Sequence, residues 1–387
     1  MNRTLLFYCQ HSLGIGHLSR SFALCEALSQ RFNVILLVGG KLPPTKRPPD
    51  GVQVIELPPL GAAMDGRLVS HDPRFTVERA FELRRDKILE VFRATRPEVV
   101  LIEFFPFGKK RFAGDLLPLL DEINGLGSAA PVVACSIRDI LVGRGGGQEA
   151  FDDRASELAN AYFDAVLVHS DPDFARLEES FRPSVPLRTP IRYTGFVVPN
   201  GVPHDDPTPG RELVVSAGGG IAGAALLTTA VEAHRLLGDV DMRVIAGPFL
   251  PEDDWQALCR RSAGRPGLSL IRSVPDLGAV LRGARASLSQ CGYNTALDIL
   301  RARVPALIVP YAENGEDEQT KRARRLEKLG AVRMLDPADL APQRLAEEIR
   351  ALLHFQPTHP RLDLCGGSNT VEILDDLHAE RFGRRAS

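Results

Sequence analysis

His17 opens a helical pattern carrying Leu18, Phe22, Leu24 and Leu28, directly after the apolar run Leu5–Cys9 and the turn Gly14-Ile15-Gly16. The positive end of a helix disfavours an imidazolium, so a histidine there stays neutral and can take a proton from an attacking hydroxyl. Packing or capping is the plainer role for such a histidine. Arg20, one turn on, either faces the same site or is an ordinary exposed helix arginine. Glu103 closes the apolar run Val99–Glu103 and so stands at the C-terminal end of a predicted strand. It can orient His17 or bind hydroxyls, or it is a salt-bridged or capping acid. Arg138, with Asp139, occupies a similar strand-end position after Ser136.

A second constellation lies in the other half of the chain. The run Leu213–Ala217 leads into Gly218-Gly219-Gly220-Ile221-Ala222-Gly223-Ala224, with four glycines in six positions. Glycines let backbone N–H groups approach an anion, and a turn requiring positive φ explains only one or two of them. Further on, Ala286–Leu288 ends in a turn containing Gly292, after which Tyr293, Asn294 and Thr295 open a helix with Asp298 one turn along. A turn rich in N–H groups at a helix start suits a diphosphate, and a carboxylate beyond it can accept both hydroxyls of a ribose. After Ala306–Val309 and Pro310, the acidic loop Glu313–Gln319 leads into another helix, where Glu318 and Gln319 can read a sugar ring. As ordinary first-turn acids, Asp317 and Glu318 would complement a helix dipole instead. The order of parts suits a nucleotide sugar.

These residues must be positioned by strands alternating with helices. The remaining candidate strands are Val34–Val38, Val52–Leu57, Val132–Ser136 and Ala165–His169 in the first half, and Met242–Ala246, Leu268–Ile271 and Val332–Leu335 in the second. Strand-then-helix repetition predicts parallel sheets covered on both faces. At 387 residues two domains are expected. The Pro-, Gly- and Asp-rich stretch around Val197–Gly210 is the best linker. The reading is therefore an α/β chain with an N-terminal domain over 1–198, a linker over 199–210 and a C-terminal domain over 211–365. The segment 366–387 holds a further helix. Gly143–Gly147 reads as a mobile loop.

Composition excludes several classes. A net charge of -2 gives no footprint for nucleic acid. The six cysteines, at 9, 25, 135, 259, 291 and 365, show no C-x-x-C spacing and read as small buried hydrophobes in a reducing compartment. Residues 1–9 lack the pattern of a signal peptide, and no apolar run is long enough to span a bilayer, so a cytoplasmic protein is expected. Gly39-Gly40-Lys41 lacks the rest of a P-loop. Asp205-Asp206 and Asp253-Asp254 are not strand-end D-x-D pairs, so no metal and no cofactor are expected. Phe104, Phe105 and Phe107, beside Lys109-Lys110-Arg111, read as core next to a solvated basic face, contact with a membrane surface being the second reading.

The stretch from Val274 to Ala331, with G-Y-N-T at 292–295, Asp298 and Gln319, resembles the C-terminal domain of glycosyltransferase family 28. That family includes the enzyme adding N-acetylglucosamine to lipid-linked muramyl-peptide. The resemblance continues more thinly through the chain, and Gly219 to Ala224 matches the family's G-G-x-x-G-A loop. It implies the GT-B fold, two doubly wound Rossmann-like domains facing a central cleft, with the last helix crossing back to the first domain. It also implies an inverting transfer from a nucleoside diphosphate sugar, by resemblance a UDP-linked one such as UDP-N-acetylglucosamine, to an acceptor hydroxyl, the acceptor unnamed. His17 would be the base or a phosphate contact, with Gly14, Gly16, Arg20 and Arg138 on the acceptor side. Gly219, Gly220, Gly223, Val274, Gly292, Tyr293, Asn294, Thr295, Asp298, Glu318 and Gln319 would bind the donor, Val274 at the base and Gln319 at the sugar. Asp298 stands where the family more often has Glu, and Glu318 replaces a second Gln. G-x-G-H-x-x-R starts also resemble a nucleotide-sugar hydrolase. The same architecture also serves epimerases and non-catalytic accessory subunits. A peripheral site at the inner membrane face is compatible with all of these.

Overall fold

The computed structural model describes residues 3–11, 16–43, 46–63, 67–143, 146–199, 210–219, 222–312 and 317–383. It divides into two compact units, one formed by residues 1–141, 145–202 and 362–387, the other by 142–144 and 203–361. Most of the expected linker, residues 200–209, lies outside the described residues.

The first unit runs β1 (Arg3–Cys9), α1 (Gly16–Leu28), β2 (Phe32–Val38), β3 (Gln53–Glu56), β4 (Leu60–Ala62), β5 (Leu68–Ser70), α2 (Val77–Thr95), β6 (Val99–Glu103), α3 (Ala113–Gly125), β7 (Val132–Arg138), α4 (Gln148–Tyr162), β8 (Ala165–His169) and β9 (Ile191–Tyr193). Seven strands form one parallel sheet in the order β3-β2-β1-β6-β7-β8-β9. The central strands β6 and β8 are buried along their whole length, which is why their sequences are continuous apolar runs rather than alternating ones. The edge strand β3 is exposed at both ends. The small hairpin β4–β5 and the seventh strand β9 have no counterpart among the expected strands; each of these strands has only three residues.

A buried knot ties α2 and α3 to the sheet. The Arg84 guanidinium is fully buried and donates to Asp115 Oδ2, Tyr8 Oη, Gln10 Oε1 and the carbonyls of Gly39 and Pro58. Each of those bonds replaces one lost to water, as burial of a charge requires.

The second unit runs β10 (Leu213–Ser216), α5 (Ala224–His234), β11 (Met242–Ile245), α6 (Glu252–Ser262), β12 (Leu268–Ile271), α7 (Leu277–Arg282), β13 (Ala286–Ser289), α8 (Tyr293–Ala302), β14 (Ala306–Ile308), α9 (Glu318–Lys328), β15 (Arg333–Met334) and α10 (Pro342–Leu352). Its parallel sheet has the order β12-β11-β10-β13-β14-β15. In both units the strand order reverses beside the first strand, the doubly wound pattern.

The last helix, α11 (Gly366–Gly383), belongs to the first unit. Its Val371 and Leu374 join the core made by Leu18, Leu24 and Leu28 of α1. Arg3 pairs with Asp375, and Arg381 pairs with Asp164. Gly366 is required by close approach: a Cβ there would lie 2.6 Å from the Gly195 carbonyl oxygen. The return to the first unit begins at Leu362, slightly earlier than the sequence suggests.

Candidate functional site

Ligands of doubly wound sheets bind beyond the C-terminal ends of the strands, at the point where the strand order reverses. In the first unit that point lies between β1 and β6, and it joins His17 to Glu103. His17 sits in the first turn of α1, and its Nδ1 lies 2.6 Å from Glu103 Oε1. Glu103 is completely buried at the end of β6, and the Arg20 guanidinium donates to the same Oε1. Arg20 is itself only 3% exposed, so it is not an exposed helix arginine. It reaches Glu103 because positions three apart share a helix face.

Burial sets the protonation of this group. The His17 imidazole is pushed well below its ordinary pKa, chiefly by desolvation and also by Lys109 and Arg20, with Glu103 opposing. Burial alone would raise the Glu103 carboxyl, but the charge His17 can carry, its hydrogen bond, and then the cations Arg20 and Lys109 hold it below the usual carboxylate range. With the Arg20 guanidinium on the same oxygen, the carboxylate does not need an imidazolium as its partner. The consistent state is an ionised Glu103 accepting from His17 Nδ1–H, which leaves the lone pair on Nε2. The His17 side chain is 18% exposed, so the ring is not sealed in.

Nothing in the sequence singles out Phe104 as a site residue, and its backbone explains why. Its φ of 67° is a left-handed conformation that a phenylalanine seldom adopts, and no residue pattern announces it. The turn brings its ring edge-on to His17 at 5.3 Å, with Arg138 over the same ring at 5.3 Å. Gly108 leaves space for it, since a Cβ there would lie 2.1 Å from the Phe104 ring. Phe104, Phe105 and Phe107 are all at most 7% exposed, which settles the core reading and removes them as a membrane-facing patch. Gly16 is the first residue of α1, whereas Gly14 lies outside the described residues.

In the second unit the reversal lies between β10 and β13, with Ser216 opposite Ser289. The two glycine turns that follow these strands are therefore neighbours. Gln290 Nε2 donates to the Ala222 carbonyl at 2.8 Å across them. Gly218 has φ 57°, Gly219 continues the turn and Gly223 is the N-cap of α5; Gly220 lies outside the described residues. Gly292 is the N-cap of α8, and neither N-cap glycine supplies a capping side chain. Thr295 is buried in the first turn of α8 and Asn294 is half-buried. Tyr293 is also buried, with Arg322 6.0 Å from its ring.

Asp298 is half-buried where α8 packs on α7. A Cβ at Gly278 would come within 3.2 Å of Asp298 Oδ1 and 3.3 Å of Asp276 Oδ1, so the glycine makes room for both acids. Val274 is half-buried in the segment leading to α7. Gln319 Oε1 accepts from the backbone N–H of Cys291 at 2.9 Å and of Tyr311 at 3.1 Å. Those two donors fix the amide's orientation and leave its NH₂ end as the part able to meet a sugar. Glu318 is only 6% exposed and lies 3.7 Å from Arg322, whose Nη1 donates to the Cys291 carbonyl at 2.6 Å. Glu318 thus lies beside Arg322, which supports the turn before Gly292. Arg322 is missing from the expected site residues, although its position four residues after Glu318 is a legible pairing signal.

Comparison with known proteins covers this part of the chain best. Residues 222–363 match the glycosyltransferase family 28 C-terminal domain. The matched stretch takes in most of the second unit, which is therefore similar to a family 28 C-terminal domain. The chain is also 29% identical, over 60% of its length and 60% of the relative's, to the UDP-N-acetylglucosamine–N-acetylmuramyl-(pentapeptide) pyrophosphoryl-undecaprenol N-acetylglucosamine transferase of Rhodospirillum rubrum. The chain thus matches less than two thirds of the length of such curated relatives. Two crystal structures extend the likeness to the whole chain. The calicheamicin glycosyltransferase CalG4 superposes with TM-score 0.59 at 18% identity, covering all of both chains. MurG of Acinetobacter baumannii gives 0.57 at 16%, covering 96% of this chain and 99% of that one. These likenesses show a GT-B fold, whose second half holds the stretch that matches the family 28 domain.

Of the cysteines, 9, 25, 135 and 291 are buried, but Cys259 is intermediate and Cys365 exposed, so the buried reading fails for those two. Among the described residues no helix is long and apolar enough to cross a membrane. No group of three or more His, Cys, Asp or Glu among them is arranged to hold a metal ion.

Proposed function

We propose that the protein is a glycosyltransferase that moves a hexosyl group from a nucleoside diphosphate sugar to an acceptor hydroxyl with inversion. The observation that carries this reading is the buried Glu103–His17 pair at the first unit's switch point, in a chain whose second unit is similar to a family 28 C-terminal domain. The acceptor oxygen forms its bond to the anomeric carbon as the bond from that carbon to the diphosphate oxygen breaks. The acceptor proton passes to His17 Nε2, and the nucleoside diphosphate leaves with the bonding pair. One displacement inverts the anomeric centre. The helix starts at Gly223 and Gly292 supply a positive field for the departing diphosphate, which supports a reaction without metal. Asp298 would accept the ribose hydroxyls, and the Gln319 NH₂ group would donate to a sugar hydroxyl. UDP-N-acetylglucosamine is the first donor to try, since it is the donor named for the Rhodospirillum relative.

The test is product analysis after a thermal-shift screen of nucleotide sugars with and without EDTA. A glycosylated acceptor plus free nucleoside diphosphate supports the reading. Free sugar released with water alone would make the protein a hydrolase, which the same His17 could serve. Binding without turnover would make it an accessory subunit.

A further inference from the structure

We infer that Arg20 is a positioning residue: its buried guanidinium holds Glu103 as a carboxylate and thereby decides which His17 nitrogen carries the proton. This rests on the proposed role of His17 as a base. A buried carboxyl–imidazole pair has three states. Glu103 can be protonated and donate to Nδ1, which puts the ring proton on Nε2 and blocks the base. Both groups can be charged, which also protonates Nε2. Only an ionised Glu103 beside a neutral ring protonated at Nδ1 leaves the Nε2 lone pair available. Arg20 contacts the very oxygen that His17 contacts, so it opposes the first state by stranding its own charge and the second by like-charge repulsion.

The other groups around the pair leave that logic intact. Lys109, from the segment after β6, adds a second positive influence on both His17 and Glu103. Arg138 on β7 acts on Lys109. His169 on β8 is fully buried, bonded to Ser136 and Thr194, and held neutral mainly by its burial. The Cys9 thiol on β1 is pushed up to about 12 by burial first and Glu103 second, so it carries no charge. The Phe104 ring packs on His17 and excludes water from one edge.

The experiment is nitrogen-resolved NMR of the His17 imidazole in the full chain, for wild type, Arg20→Gln and Arg20→Lys. Wild-type His17 should be neutral at pH 7 with its proton on Nδ1. An imidazolium or an Nε2–H ring in wild type would overturn the inference, and that measurement needs no variant. Arg20→Gln should raise the pH at which His17 titrates by about 1 or more, the range for losing a neighbouring like charge. Arg20→Lys, which keeps the charge, should stay near wild type. An unchanged titration in folded Arg20→Gln would also overturn it. In transfer assays the acid limb of kcat should move with the NMR titration while KM for the donor stays fixed, whereas a merely structural loss would lower kcat at every pH. Should wild type show the expected tautomer and no transfer, the functional reading fails and the positioning role of Arg20 stands.

Discussion

The two switch points solve different problems with different materials. In the proposed reaction the first unit contributes three side chains, Arg20, Glu103 and His17, packed so that the two charged members are almost wholly out of water. The second unit's proposed contribution is backbone: two adjacent turns, at Gly218 and Gly292, each leading into a helix start. A base must hold one protonation state, and only titratable groups with a fixed neighbourhood can do that. An anion needs only oriented N–H dipoles, which survive almost any change of side chain. Variants should therefore be abrupt in the first unit and graded in the second.

The largest effect is expected at His17. His17→Ala should lower kcat by about 10²–10⁴-fold if the ring is the general base, with KM for the donor nearly unchanged. Transfer kinetics of the variant check this, and full activity would discard the mechanism. In the second unit Asp298→Ala should weaken nucleotide binding by about 1–3 kcal/mol, the cost of leaving hydrogen-bonding groups unpaired, while kcat at saturating donor changes little. Calorimetry against the nucleoside diphosphate measures it. If Asp298→Ala instead abolished turnover with affinity intact, the division of labour between the units would be wrong.

That contrast also explains what can be read from the sequence. The strands are legible because parallel strands buried on both faces are uninterrupted apolar runs, as at Val99–Glu103 and Ala165–His169. The glycine turns are legible because glycine marks backbone needs directly. The three-residue β9 and the β4–β5 hairpin are not, since so few residues carry no period. Site roles divide in the same way. Glu103 and His17 are marked by position at a strand end and a helix start. The burial of Arg20 is hidden, because a helix face tells which residues are neighbours but not which side faces the sheet. The burial of Glu318 is hidden too: a first-turn acid looks exposed, and only the fold shows it buried beside Arg322. Phe104 is illegible because its positive φ is imposed by the packing around it.

The smallest effect tests whether the second site is backbone in substance. Gly218→Ala keeps every N–H in the turn, and its added Cβ would meet only Thr295 Oγ1, at an ordinary 3.8 Å. The cost is then conformational, about 1–2 kcal/mol for an alanine held at a φ of 57°. That corresponds to a fall in melting temperature of roughly 2–8 °C for a domain of this size. Gly218→Asn should lose less, because asparagine tolerates the left-handed region better. Nucleotide affinity should follow stability only weakly in both, since the dipoles remain where they were. A loss of affinity in Gly218→Ala far beyond its loss of stability would mean that the path of this turn, and not the mere presence of its N–H groups, holds the diphosphate. The second site would then be as finely set as the first.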